Sequence, residues 1–184
     1  MSRLEPVSPA LLGTEARDLY DAITAGPRAS GPQHFPLTGE DGGLNGPFNA
    51  FLLSPGIGHA LQELGAALRY RGTLSARSRE IAILTVAAAW DSTFEQQSHE
   101  AVGRASGLVE EELTALRAGH VPSLADAHEA ACARLARAMT RGDVSDAMWR
   151  EDAELVGAAT VFELTTIVGY YSTLALQMRV FRVD

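Results

Sequence analysis

The sequence has very little cysteine, because Cys132 is the only one among 184 residues. A single thiol cannot form an intramolecular disulfide or a dithiol redox centre. Lysine is absent, so arginine supplies all 15 basic residues, a usage that fits a GC-rich bacterial genome. With 23 acidic residues the net charge is -8, which argues against nucleic acid or an anionic membrane surface as a partner.

Long apolar runs are also absent. No stretch approaches the ~18 uninterrupted apolar residues that indicate a membrane span. The first residues have no apolar core of the kind a signal peptide needs, so together with the lone cysteine we expect a cytoplasmic protein. A content of 46% hydrophobic and 21% charged residues is ordinary for a globular chain, and its length predicts a single domain over residues 1–184.

Strand-like alternation is missing as well, whereas apolar residues recur at helical spacing along most of the chain. The predicted fold class is therefore all-α, an orthogonal helical bundle. Ser54 is expected to begin a helix with Ile57, Leu61, Leu64 and Leu68 facing inward. Ser145 is expected to begin another, in which Trp149 and Val156 share a buried face.

Two segments depart from this pattern. Residues 27–47 are rich in glycine and proline, and we expect a long loop that acts as a lid or stays irregular. The last helix, predicted from residue 158 to residue 181, is apolar nearly all round. Such a helix is expected to be surrounded by protein, and this also makes it a candidate for contact between subunits.

The stretch from Arg79 to His99 contains the most chemistry. Its first half lies on a predicted buried helix that begins at Ser75 and has Glu80 in its first turns, and a second helix begins at Ser92. Ser92 and Glu95 have the spacing of a capping box. Glu95 and His99 are four residues apart, so they lie on one helical face. An imidazole beside carboxylates is suited to proton transfer near neutral pH, which predicts an acid/base site.

Other readings of these residues stay open. A lone histidine is more often a surface or satisfied core residue, and Glu95 alone would be a capping acid. Glu80, Glu95 and His99 are acceptable metal ligands, but with one histidine in the group we expect no metal. Ser92 is about two turns from His99, too far for a nucleophile and its base.

Several short motifs together resemble the carboxymuconolactone decarboxylase family, whose fold is shared with alkylhydroperoxidase D. They are the segment 45–49 (Asn-Gly-Pro-Phe-Asn), the segment 53–55 (Leu-Ser-Pro), the segment 77–80 (Arg-Ser-Arg-Glu), Phe94-Glu95 with His99, and Gly107-Leu108. The resemblance covers residues 40–120 best, and the closing helices resemble the family through residues 168–171 (Val-Gly-Tyr-Tyr). It implies an alkylhydroperoxidase D-like helical bundle.

The resemblance also separates two branches of chemistry. The peroxidase branch has a Cys-x-x-Cys motif where this chain has Ser92 and Glu95, so an antioxidant role through thiols is disfavoured. The decarboxylase branch lacks those cysteines and keeps the glutamate and histidine at Glu95 and His99. That branch usually has tryptophan after the glutamate, where this chain has Gln96, and the substrate is therefore left open.

The decarboxylase resemblance implies a cofactor-free lyase or isomerase that acts on a small carboxylated lactone in the catabolism of aromatic compounds. Carbon dioxide would leave to give a dienolate, which a general acid then protonates. His99 would be that acid, Glu95 would orient it, and Glu80 would set the local proton balance. A non-catalytic oligomeric scaffold or binding protein is the alternative from another class.

The remaining expectations concern substrate and partners. Arg77 or Arg79 would bind the carboxylate of the substrate, while Phe48, Asn49 and Ser92 would line the pocket. No metal or other cofactor is expected. Family members are usually homotrimers or hexamers, so the resemblance implies self-association.

Overall fold

The structure, a computed structural model, describes residues 2–26 and 35–183. In these residues every regular element is a helix, and pairing of extended backbone is limited to an isolated bridge between Thr38 and Leu44. The predicted all-α fold class is confirmed. Of the glycine- and proline-rich loop, residues 27–34 lie outside the described residues.

The helices fall close to the predicted positions. A single 3-10 turn, Pro9–Leu11, precedes the first of them. The bounds are α1 Thr14–Thr24, α2 Pro47–Phe51, α3 Pro55–Tyr70, α4 Ala76–Trp90, α5 Thr93–Ala105, α6 Glu110–Arg117, α7 Ala127–Met139, α8 Asp146–Val156 and α9 Ala158–Phe181. Within α8, Trp149–Ala153 form a π turn.

The chain divides into two compact units. The first contains residues 1–71 and 176–184, and the second contains residues 72–175. The predicted acid/base residues Glu80, Glu95 and His99 all belong to the second unit. A single domain over the whole chain stays a prediction.

In the first unit, a glycine sets the face with which α3 packs. A Cβ atom at Gly58 would lie 2.5 Å from the main-chain oxygen of Phe51 and 2.6 Å from Cδ2 of Leu19. The prediction is wrong for Ile57 and Leu64, which are 64% and 37% exposed while Gly58 is buried. Leu61 and Leu68 are partly buried. The close approach that glycine allows, rather than the leucine stripe, decides which side faces inward.

In the second unit, α4 is the central helix and packs against α5, α6 and α7. Its residues from Glu80 to Ala87 are all buried, so this helix is surrounded on every side. Apolar residues of four segments form one cluster, made of Ile81, Leu84, Leu108, Leu113, Leu116 and Ala133. Burial of this kind holds α4, which carries Glu80, in fixed relation to α6 and α7.

The π turn explains a second wrong prediction. An uninterrupted α-helix would place Trp149, Ala153 and Val156 on one face, but Trp149 is 48% exposed while the other two are buried. A π turn adds one residue to a turn, which rotates the side chains before it relative to those after it. Trp149 is therefore directed away from the core.

The last helix has one uncovered face. Phe162 is 71% exposed, and Thr165 and Gly169 on the same side are also exposed, whereas Leu164, Ile167 and Val168 are buried. The expectation that protein surrounds α9 on all sides is thus wrong for the chain alone. Within the described residues no single helix has the length and hydropathy to cross a membrane, although the bent pair α8 and α9 passes on length and composition only.

Candidate active site

The site is formed where α4 and α5 pack side by side. Ser75 caps α4 by accepting a hydrogen bond from the amide of Ser78, as predicted, and Glu80 follows in the next turn. At the other end Asp91 adopts a left-handed conformation with φ of 50°, which stops α4 and lets α5 begin. The reversal brings His99, at the middle of α5, beside Glu80, early in α4.

His99 is held between two carboxylates. Its Nδ1 lies 2.6 Å from Oε2 of Glu80, and its Nε2 lies 3.3 Å from Oε2 of Glu95. Glu80, Glu95 and His99 are 1%, 3% and 5% exposed, so water screens none of these charges well. The structure brings together the three residues predicted to be catalytic; their role stays a prediction. We refer to Glu80, His99 and Glu95 as the buried triad.

The charge state of the triad follows from this geometry. Burial lowers the pKa of His99, but the negative charge of Glu80 and the hydrogen bonds to Glu80 and Glu95 outweigh it. The pKa of His99 rises from 6.5 to about 9. The imidazole is therefore protonated near neutral pH and donates one hydrogen bond to each carboxylate.

Glu95 has a free acceptor in the triad. Its Oε2 faces His99, whereas Oε1 is buried and accepts no hydrogen bond from any residue in the described parts of the chain. The capping-box prediction is wrong, since Ser92 makes no side-chain cap and Glu95 turns towards His99. A buried carboxylate oxygen without a partner is costly, and functional sites are where such costs are tolerated.

Tyr171 completes the surroundings of His99, and sequence reasoning assigned it to the core or an interface instead. Its ring meets the imidazole edge to face, with centroids 5.1 Å apart. Tyr170 stacks on Tyr171 in the same manner at 5.2 Å. The only signal in the sequence was the motif at residues 168–171, which lies about seventy residues after His99.

The two arginines predicted to bind substrate differ sharply. Arg77 bonds to Glu112, Glu129 and the carbonyl of Gly107, so each nitrogen of its guanidinium is already engaged. Arg79 has no hydrogen-bond acceptor among the described residues, and its Nε, which is buried, lies 3.7 Å from Oε1 of Glu80. Arg79 is thus the arginine that adjoins the buried triad with donors to spare.

The other predicted substrate contacts have different surroundings. Phe48 and Asn49 lie on α2 in the first unit, where Asn49 ties down the amino-terminal segment by accepting from Val7 and donating to Glu5. Ser92 lines a surface cavity of about 400 Å³ with Gln96, on the side of α5 next to the one that holds the triad. The structure does not bring Ser92 into the triad.

The described parts of the chain contain no group of residues arranged for metal binding or for thiol chemistry. No cluster of three or more histidine, cysteine, aspartate or glutamate residues there could hold a metal ion. Cys132 is buried in α7, and burial raises the pKa of its thiol to about 11. Because the thiolate is the reactive form, this cysteine is inert near neutral pH.

These observations define an all-α protein with a buried carboxylate–imidazole–carboxylate triad on two packed helices. Residues 55–138 match the model of the carboxymuconolactone decarboxylase family. The matched segment contains the whole triad, and the match supports the family resemblance that the motifs indicated. The family also includes members that are not decarboxylases. No curated protein matches the chain.

Proposed function

We propose that the protein is a cofactor-free lyase or isomerase that transfers a proton to or from a small carboxylated lactone or a related acid. The observation that supports this most is that each ring nitrogen of His99 contacts a buried carboxylate. A buried imidazolium with a carboxylate on each nitrogen can hold a proton near neutral pH and pass it along a fixed path. The match of residues 55–138 to the family model supports this class of reaction.

The roles within the triad follow from which atoms are free. Both ring nitrogens of His99 are occupied, so a substrate reaches the proton through Glu95, whose Oε1 has no partner. Glu95 would deliver the proton, and His99 would replace it through Nε2. Glu80, at 2.6 Å from Nδ1, would hold the ring in place and stabilise its positive charge. In this order Glu95 delivers the proton and His99 supplies it. The family resemblance implied instead that His99 is the acid and that Glu95 orients it.

The reaction can be written with this machinery. When the carboxylate of the lactone leaves as carbon dioxide, the electron pair of the broken carbon–carbon bond enters the conjugated ring and gives a dienolate. A proton from Nε2 of the His99 imidazolium passes through the Glu95 carboxyl group to the distal carbon, which moves the double bond. Glu95 is then a carboxylate again, and solvent restores the proton of His99. No electron donor or acceptor is needed.

Arg79 would bind the substrate carboxylate or its neighbouring oxygen. Its side chain is 16% exposed, and it adjoins Glu80 without engaging an acceptor in hydrogen bonding. A guanidinium in that position would form a bidentate pair of hydrogen bonds with the carboxylate of a bound substrate. Arg77, which the structure ties to Glu112 and Glu129, is already used to hold α4 to α6 and α7.

The test is turnover of carboxymuconolactone, followed as carbon dioxide release. His99→Gln should lower kcat at least about 100-fold, the usual scale of acid/base catalysis. Arg79→Gln should raise KM about tenfold or more, since a hydrogen bond to a charged group is worth ~1.5–3 kcal/mol. His120→Gln and Arg150→Gln, at exposed positions, are the matched controls. Equal activity of His99→Gln and wild type would refute the proposal, and absence of turnover by wild type would favour the scaffold alternative.

Self-association is proposed as well. The family resemblance implies an oligomer, and Leu53 and Ile57 on the first unit and Phe162 on the second, each more than half exposed, are available for such a contact. Light scattering after size exclusion should give a trimer or hexamer. A monomer at micromolar concentration would contradict this, and Phe162→Glu should weaken the assembly if the α9 face takes part.

A further inference from the structure

A second cavity lies in the second unit, apart from the residues of the triad. Its volume is about 490 Å³, and its wall is formed by α7, α8, α9 and the loop between α7 and α8. The lining is mainly apolar, with Met139, Val144, Val161 and Val168, while Trp149 contributes an aromatic face. Cavities of this size and character are typical sites for small ligands.

A glycine opens one side of this cavity. Gly169 lies in the middle of α9, where glycine costs ~1 kcal/mol relative to alanine. A Cβ atom at this position would meet no atom within 4 Å, so no close contact among the described residues requires glycine there. What the missing side chain provides is space in the cavity. The destabilising choice of residue therefore favours an occupant that the chain itself does not supply.

The π turn of α8 also favours a ligand in this cavity. It begins at Trp149 and turns this indole out of the core towards the cavity, which leaves the side chain 48% exposed. A π turn interrupts a helix at some cost, and such turns are frequent at functional sites. Two independent features of the backbone, the glycine in α9 and the π turn in α8, thus both enlarge or line the same space.

The charge of Asp143 determines which kind of ligand the cavity favours. Among the described residues, Asp143 is the only ionisable one that lines the cavity, and one of its oxygens accepts a hydrogen bond from the amide of Val144 at 2.7 Å. No basic side chain in the described parts of the chain forms an ion pair with this carboxylate. An aromatic face next to an uncompensated carboxylate attracts a cation. An anionic ligand would be repelled by Asp143, and a neutral ligand could gain a hydrogen bond but no charge attraction.

We propose that this cavity binds a small molecule that has an apolar body and a protonated amine, with the amine on Asp143 and the body between Trp149 and Gly169. The site is separate from the triad, and binding there does not depend on the proposed reaction. The assignment rests on the volume of the cavity, on Gly169, on the π turn of α8 and on the charge of Asp143.

Phenylethylamine is a suitable probe, and the indole N–H resonance of Trp149 in proton–nitrogen NMR is the readout. Trp149→Phe assigns that resonance, since Trp90 is the other tryptophan. We expect a saturable shift with a Kd of about 1 mM, the scale for a ligand of this size. Phenylpropanoate, which has a similar body and the opposite charge, should bind at least about tenfold more weakly.

Two variants locate the site. Gly169→Leu fills the cavity and should abolish the shift, whereas Gly169→Ala leaves most of the volume and should retain it. Asp143→Asn should remove the preference for the amine over the carboxylate. If Gly169→Leu does not fold by circular dichroism, the Asp143→Asn comparison decides the matter.

Several outcomes would overturn the proposal. They are a shift that does not saturate, equal binding of the two probes by wild type, and binding that survives Gly169→Leu. A Trp149 resonance that moves on dilution of the protein and ignores the amine would show that a second copy of the chain covers the cavity instead.

Discussion

Replacing His99 by glutamine should flatten the dependence of stability on pH. The pKa of His99 is about 9 in the folded protein and 6.5 in its ordinary state, because Glu80 and Glu95 outweigh the effect of burial. The folded chain thus binds a proton more tightly than the unfolded chain. The stabilisation is fully present below about pH 6.5 and is lost as the pH rises through about 9.

The size of the effect follows from the shift. Each pKa unit corresponds to ~1.4 kcal/mol, so the difference between 6.5 and about 9 contributes about 3 kcal/mol to the free energy of unfolding. In this pH window wild type should lose about 1.4 kcal/mol per unit beyond the loss seen in His99→Gln. The variant is less stable at neutral pH, and the two curves converge at high pH.

The assay is urea unfolding at a series of pH values between about 6 and 9, at one protein concentration. Cys132 adds a slope at the upper end, because its thiol ionises more easily in the unfolded chain, but this slope is common to both proteins and cancels in the difference. His120→Gln, at an exposed position, should follow wild type. Parallel curves for wild type and His99→Gln would refute the reasoning about the buried triad.

Two further predictions concern single contacts. Glu80→Gln should lower the pKa of His99 more than Glu95→Gln does, because the Glu80 contact is 2.6 Å and the Glu95 contact 3.3 Å; an NMR titration of the imidazole measures both, and equal shifts would contradict the assigned order. Gly58→Ala should destabilise the protein by about 1–3 kcal/mol through overpacking, while Gly56→Ala, whose Cβ meets nothing within 4 Å, should be neutral or stabilising. Thermal unfolding compares the two, and the reverse ranking would exclude the close packing of α3.

The sequence predicts the contact between Glu95 and His99, which is local, but not the contact between Glu80 and His99, which joins two helices. Glu95 and His99 lie four residues apart on one helix, and helical spacing alone places them together. The pairing of Glu80 with His99 joins residues 19 apart and depends on how α4 packs against α5. Spacing cannot show which carboxylate reaches which ring nitrogen, and Tyr171 is further still along the chain.

The wrong predictions for helix faces have two physical causes. On α3 the contact is set by Gly58, whose small size lets the helix approach Phe51, and hydrophobicity patterns give glycine no weight in choosing a face. On α8 the π turn shifts the phase of the helix, so Trp149 leaves the face that regular periodicity assigns to it. Both are departures from the averages on which pattern reasoning rests.

The arginines show how structure decides between equal candidates. Arg77 and Arg79 stand two residues apart, and their charge and position in the motif are alike. In the structure the carboxylates of Glu112 and Glu129, from α6 and α7, bind Arg77. Arg79 remains next to the triad without a hydrogen-bonded acceptor in the described residues, which no local pattern could have shown.

Incorporation of solvent deuterium tests the central claim most directly. Carboxymuconolactone is incubated with the protein in deuterium oxide, and the product is analysed by NMR. If the triad donates the proton, wild type places one deuterium on one face of the distal carbon, Glu95→Gln and His99→Gln lose this selectivity together with the rate, and His120→Gln retains both. Unselective labelling by wild type, or selective labelling that survives in His99→Gln, would contradict proton transfer by the buried triad.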